Sequence, residues 1–157
     1  MLSKVIELLN SIGKKIKLIA IFGSSIYSPR KARDIDILIA VDRIGSVSEK
    51  IELEATIKKA LRKIGMEKTC DVIVFDVDSL KENIKPGGVV SGAIAGYKVL
   101  YDEIGFEEMV KKAAEELLKQ GVVVYKKGRK LDLSIYTKLL LSKSSQSKKR
   151  LYSTSIE

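Results

Sequence analysis

Two aspartates two residues apart open an apolar run, DIDILIAV at 34–41. In a strand, alternation puts Asp34, Asp36 and Leu38 on one face and Ile35, Ile37 and Ile39 on the other. Carboxylates set side by side repel each other, and a bound divalent cation removes that repulsion. A third aspartate, Asp71, stands near the start of another apolar run, CDVIVFDV at 70–77. On a neighbouring strand it reaches the same cation. Asp76 competes for that role, but it lies at the opposite end of the run and on its other face. Oxygen donors of this type suit magnesium or manganese. Magnesium usually takes only one or two carboxylates and completes its shell with water and substrate phosphates.

The chain has no histidine and a single cysteine, Cys70. Ser-His-Asp and Cys-His catalysis are thereby excluded, as are Cys/His zinc sites and any internal disulfide. Cys70 sits in an apolar run and reads as a buried, unreactive thiol. Chemistry is left to carboxylates, lysines, hydroxyls and a hard metal ion.

Gly23-Ser24-Ser25 follows KLIAIF (17–22) at once, so a buried strand runs into a tight turn. Glycine there lets a ligand approach the backbone. Amides at the start of a following helix suit a phosphate, and the Ser24 hydroxyl adds a hydrogen bond. Arg30, Lys31 and Arg33 lie in the polar loop before the aspartate pair. They read equally well as triphosphate-neutralising groups or as a solvated basic loop.

The elements that position these residues follow from periodicity. Residues 2–12 place Leu2, Val5, Ile6, Leu9 and Ile12 on one helical face, stopped by Gly13. Residues 46–64 form the longest helix, with Ser46 and Glu49 as a capping box and Val47, Ile51, Ala55, Leu61 and Ile64 as its apolar stripe. A looser region ends in Pro86-Gly87-Gly88. A short helix in VVSGAIAG and a strand in YKVLYD (97–102) follow. Residues 106–118 are helical, with Phe106, Met109, Val110, Ala113, Ala114, Leu117 and Leu118 on one side. VVVY (122–125) reads as a strand and 131–141 as a last helix.

The fold class is α/β in the α+β sense: a mixed β-sheet packed with helices. Three parts are expected: a core over 1–104, a helix-strand-helix extension over 105–141, and a basic tail over 142–157 too poor in apolar residues to fold. No apolar run nears the ~20 residues of a membrane span, and the N-terminus is an amphipathic helix rather than a signal peptide. A cytoplasmic location without membrane contact is expected.

Charge is unevenly placed. The net charge is +9, yet residues 121–157 hold nine Lys/Arg against two acids, so the rest is nearly neutral. Such a C-terminal portion either solubilises the chain or draws in a polyanion such as RNA. Abundant Lys and Glu with few Asn and Gln is a composition of hot environments.

Taken together, IAIFGSSIYSPRKARDIDILIAV followed by CDVIVFD resembles the minimal nucleotidyltransferases of the DNA polymerase β-like superfamily, over roughly residues 15–101. The resemblance implies a nucleotidyltransferase fold closed by the YKVLYD strand. It implies two magnesium ions (manganese as a substitute) on Asp34 and Asp36, with Asp71 binding the ion beside the attacking hydroxyl. It implies β- and γ-phosphates held at Gly23 and Ser24, with Ser25 beside them. The activity implied is transfer of a nucleoside monophosphate, with ATP as the expected donor, to an acceptor hydroxyl on a protein, a nucleic-acid end or a small molecule, releasing pyrophosphate. Minimal members often work beside a separate helical partner, as antitoxin to its toxin. Two positions depart from the family pattern. A basic residue and a glycine often come sooner after Gly-Ser, and a serine often precedes Asp-x-Asp where this chain has Arg33. The alternatives are a non-catalytic nucleotide-binding module and a nucleic-acid-binding protein acting through the basic C-terminal portion.

Overall fold

The two most apolar runs of the sequence lie side by side at the centre of a sheet. In the chain's computed structural model, which describes residues 2–27, 29–63, 69–85, 88, 93, 96–120, 123–126 and 129–132, β1 (Ile16–Phe22) pairs antiparallel with β2 (Asp34–Val41). β2 pairs parallel with β3 (Thr69–Asp76), and β1 pairs antiparallel with β4 (Tyr97–Asp102). The sheet is therefore mixed, in the order β3-β2-β1-β4. A parallel pair needs a crossover connection, and α3 (Val47–Lys63) supplies it between β2 and β3.

Central strands are covered on both faces and so lose their polar positions. Residues 37–41 of β2 are all buried, and only its first three residues are partly open. On one face, Ile19, Ile37, Ile39, Val72 and Val74 pack with Val5 and Leu9 of α1 (Leu2–Ser11) and with Leu53, Ile57 and Leu61 of α3. On the other, Leu18, Ala20, Leu38 and Phe75 pack with Leu80 of α4 (Val77–Asn83) and with Phe106, Val110, Ala114 and Leu117 of α5 (Phe106–Gln120). The expected alternation of β2 is borne out: its isoleucines belong to one core and Leu38 to the other.

Helix boundaries also follow the sequence. Lys14 N–H bonds to Leu9 C=O past Gly13, closing α1 where glycine was expected to stop it. Glu49 N–H donates to Ser46 Oγ, half of the expected capping box; the Glu49 carboxylate turns instead to Gly45 N–H. The α5 face is as predicted, with Met109 and Leu118 only partly buried.

Four expectations need correction. The α3 stripe holds only at Leu61: Val47 and Ile51 are 74% and 60% exposed, Ala55 is exposed too, and the buried row is Leu53, Ile57 and Leu61. Ile12 is 44% exposed, because α1 has ended by Ser11. The region after β3 begins with a helix, α4, rather than a loop. The expected helix over 131–141 starts within a strand: β5 (Val123–Lys126) and β6 (Arg129–Asp132) form an antiparallel hairpin. Residues 133–157, Ile64 and most of VVSGAIAG lie outside the described residues, and with them the expected tail.

Candidate active site

All three predicted carboxylates come to one end of the sheet. Asp36 is the register partner of Phe22 on β1 and of Asp71 on β3, and Asp34 sits opposite Thr69. Parallel partners project to the same face, and neighbouring strands lie ~4.8 Å apart. Asp34, Asp36 and Asp71 therefore share the face that carries Leu38 and Ala40 further along. Asp34 and Asp36 are partly buried, while Asp71, on the edge strand, is exposed. Asp76 pairs with Val41 at the opposite end. There it caps α4, accepting Ser79 N–H at 2.8 Å and Ser79 Oγ–H at 2.9 Å. Asp71, and not Asp76, is thus the neighbour of the pair in the fold.

The Gly23 turn is built against this pair. β1 ends at Phe22, Gly23 takes φ +76°, and the one-turn helix α2 (Ser24–Tyr27) begins at once. A Cβ added to Gly23 would collide with Asp36 Oδ2 and lie 3.3 Å from its Cγ. Glycine is required twice here: for a left-handed backbone, and for room beside a carboxylate. The turn is pinned by Gly23 N–H to Gly96 C=O at 3.1 Å and Ile26 N–H to Gly23 C=O at 3.0 Å. Ser25 Oγ–H bonds back to Phe22 C=O at 3.2 Å. The Gly23 amide and the Ser25 hydroxyl are thus spoken for by the fold, and Ser24 heads α2 partly buried. Arg30, Lys31 and Arg33 are exposed in the approach to β2, and none makes an ion pair with a described residue.

One residue at this end escapes sequence reasoning. Lys58 Nζ of α3 lies 3.3 Å from Asp71 Oδ1. Its helix covers the opposite face of the sheet, so the ammonium reaches the carboxylate around the free edge of β3. The available signal is the row Lys50, Glu54, Lys58, spaced four apart on the crossover helix. Its meaning depends on knowing which edge that helix flanks. Cys70, next to Asp71, is half-buried rather than fully buried. Burial, reinforced by the Asp71 charge, pushes its thiol above the ordinary range, away from the reactive thiolate.

A divalent cation fits the donor set in kind and the strand register in place. Among the described residues, however, no three carboxylate or thiol side chains are gathered closely enough to hold a metal ion by themselves. Magnesium does not need such a cage, since one or two carboxylates plus substrate phosphates satisfy it. Also among the described residues, no helix is long and apolar enough to cross a membrane.

No protein-family model and no curated protein matches the chain. Among solved structures it is similar to a chain of a mutant MntA–HpeT toxin–antitoxin complex, at 19% identity over 96% of this chain and 98% of that one, with a TM-score of 0.47. It is similar to a chain of the complex of tri-AMPylated Shewanella oneidensis HEPN toxin with MNT antitoxin, at 19% identity over 95% and 94%, with a TM-score of 0.44. An Enterococcus spectinomycin adenyltransferase, AAD(9), solved with ATP and spectinomycin, is similar at 16% identity over 76% of this chain and 64% of that one, with a TM-score of 0.41. Likeness this distant carries no weight for what the chain does, which rests on the site.

Proposed function

We propose that the chain transfers a nucleoside monophosphate from ATP to an acceptor hydroxyl. The observation that carries this reading is the meeting of Asp36 and Asp71 in register beside a glycine turn where an added Cβ would run into the Asp36 carboxylate. Ordinary strand ends have no reason to crowd a carboxylate against a backbone turn.

In this reading Asp34 and Asp36 hold divalent cation, with Asp71 completing the side nearest the acceptor. Two such ions, when bound, neutralise charge on the attacking and leaving oxygens of an in-line displacement. The chain's own residues do the positioning. The Ser24 and Ser25 amides at the α2 turn, with the Ser24 hydroxyl, receive the phosphates. Gly23 keeps the wall flat enough for them to approach. Arg30, Lys31 and Arg33 make the potential along the entry positive and so favour the approach of the triphosphate. Asp71 accepts the acceptor proton or orients its hydroxyl. The acceptor oxygen then forms a bond to the α-phosphorus, the bond to the bridging oxygen breaks, and pyrophosphate leaves. A protein hydroxyl on a separate helical partner is the first acceptor to try, with nucleic-acid ends and small molecules behind it.

The test is incubation of the purified protein with α-labelled ATP and magnesium, with and without lysate. Label should enter an acceptor and fail to do so with Asp36→Asn. Transfer that persists in both Asp34→Asn and Asp36→Asn would sink the mechanism.

A further inference from the structure

Along the edge of β3 that no described strand pairs with, α3 presents a row of three charged side chains. Lys50 Nζ lies 4.2 Å from the centre of the Phe75 ring. Glu54 Oε1 accepts the outward Val74 N–H at 3.0 Å. Lys58 Nζ meets Asp71 Oδ1 at 3.3 Å. The first two seal an edge that would otherwise offer an unpaired amide and an open ring to another strand. The third seals nothing: it joins two side chains that are 35% and 59% exposed. What distinguishes it is its partner, the carboxylate in register with Asp36.

We infer that Lys58 is a resident counter-ion for Asp71, which an incoming divalent cation must displace before the third carboxylate can be used. This rests on the cation site proposed above and adds its regulation. An ammonium and a metal ion compete for the same carboxylate oxygens, so while Lys58 is engaged a cation binds weakly through Asp34 and Asp36. Asp71 joins only once the ammonium lets go. The pairing also offsets part of the repulsion among the neighbouring carboxylates. Lys58 is a positioning residue, acting through Asp71.

The probe is manganese alone, titrated against the full chain, with free ion read by electron paramagnetic resonance. Thermal melts check that each variant is folded. Lys58→Met should bind manganese about two- to fivefold more tightly than the wild type, the range expected for removing one exposed ion pair. Lys58→Arg, which keeps the charge, should behave as the wild type. In an Asp71→Asn background the Lys58→Met effect should vanish. Equal affinity of Lys58→Met and wild type, or equal tightening with and without Asp71, overturns the inference. If Asp36→Asn abolishes binding while Lys58→Met changes nothing, the cation site stands and only the counter-ion role falls. If no variant binds manganese at millimolar concentration, even with a non-hydrolysable ATP analogue present, the cation site falls and this role with it.

Discussion

The sheet carries three aspartates at each end, and the two sets are used differently. At one end, Asp42, Asp76 and Asp102 each serve the backbone. Asp42 accepts Lys15 N–H, Asp76 caps α4, and Asp102 gathers the amides of Ile104, Gly105 and Phe106 at 2.8–3.0 Å to start α5. At the other end, Asp36 crowds a glycine turn, Asp71 faces a lysine ammonium, and Asp34 opens β2 beside the basic loop. Among the described residues, no backbone amide is bonded to Asp71. Carboxylates that tie up amides are explained by folding. Asp71, brought to the pair without that work, raises the question of what it binds.

The contrast makes its largest prediction for charge removal. Asp36→Asn should lower transfer by about 10³-fold or more, since the lost metal ligation is worth several kcal/mol. Its melting temperature should stay within about 4 °C of the wild type. Asp76→Asn should leave transfer unchanged. Equal losses in both variants would erase the difference between the ends.

The second prediction sets two glycines against each other. Gly23 and Gly105 have φ of +76° and +71°, but only at Gly23 does an added Cβ meet anything, the Asp36 carboxylate. Both alanine variants should lose roughly 1–2 kcal/mol in denaturant unfolding for the left-handed backbone. Gly23→Ala should also lose at least about tenfold in transfer, because it displaces Asp36. If Gly105→Ala loses as much activity per folded molecule, the turn is merely structural.

Smaller effects are expected at the capping end. Asp102→Ala should cost about 1 kcal/mol in denaturant unfolding, as lost caps do, with transfer per folded molecule intact. The Asp76 carboxyl is held below the usual range, chiefly by the Ser79 amide. A lowered native pKa stabilises above the unfolded value and is lost as pH falls through the native one. The melting-temperature advantage of wild type over Asp76→Asn should therefore be full at neutral pH and begin to close below about pH 4. An advantage that stays constant down to pH 3 contradicts the assigned cause.

Much of this was readable in the residues, for particular reasons. β2 declares itself because the alternation Asp-Ile-Asp-Ile leads into an unbroken apolar run, and that reading fixes the face of Asp34 and Asp36. α5 does so because one apolar row has no rival. α3 misleads because it carries two rows with i,i+4 spacing, Val47-Ile51-Ala55 and Leu53-Ile57-Leu61. Periodicity cannot choose between them; the sheet does. α4 is short, and its cap, Asp76, is also the last residue of a strand, so local pattern blurs the junction. β6, Arg-Lys-Leu-Asp, has no β-branched residue and pairs only because β5 lies opposite. That Asp71 could come near the aspartate pair was expected if their strands were neighbours, though not its register with Asp36; the Lys58 contact joins a helix to the far face around an edge and has no local trace.

The central claim is that the aspartates at the glycine-turn end bind a nucleoside triphosphate through a divalent cation. The most direct measurement is calorimetric titration of a non-hydrolysable ATP analogue, with and without magnesium, into wild type, Asp36→Asn and Asp76→Asn. Binding that requires magnesium, is lost in Asp36→Asn and survives in Asp76→Asn is the predicted result. Binding that ignores magnesium, or that both variants retain equally, would contradict it.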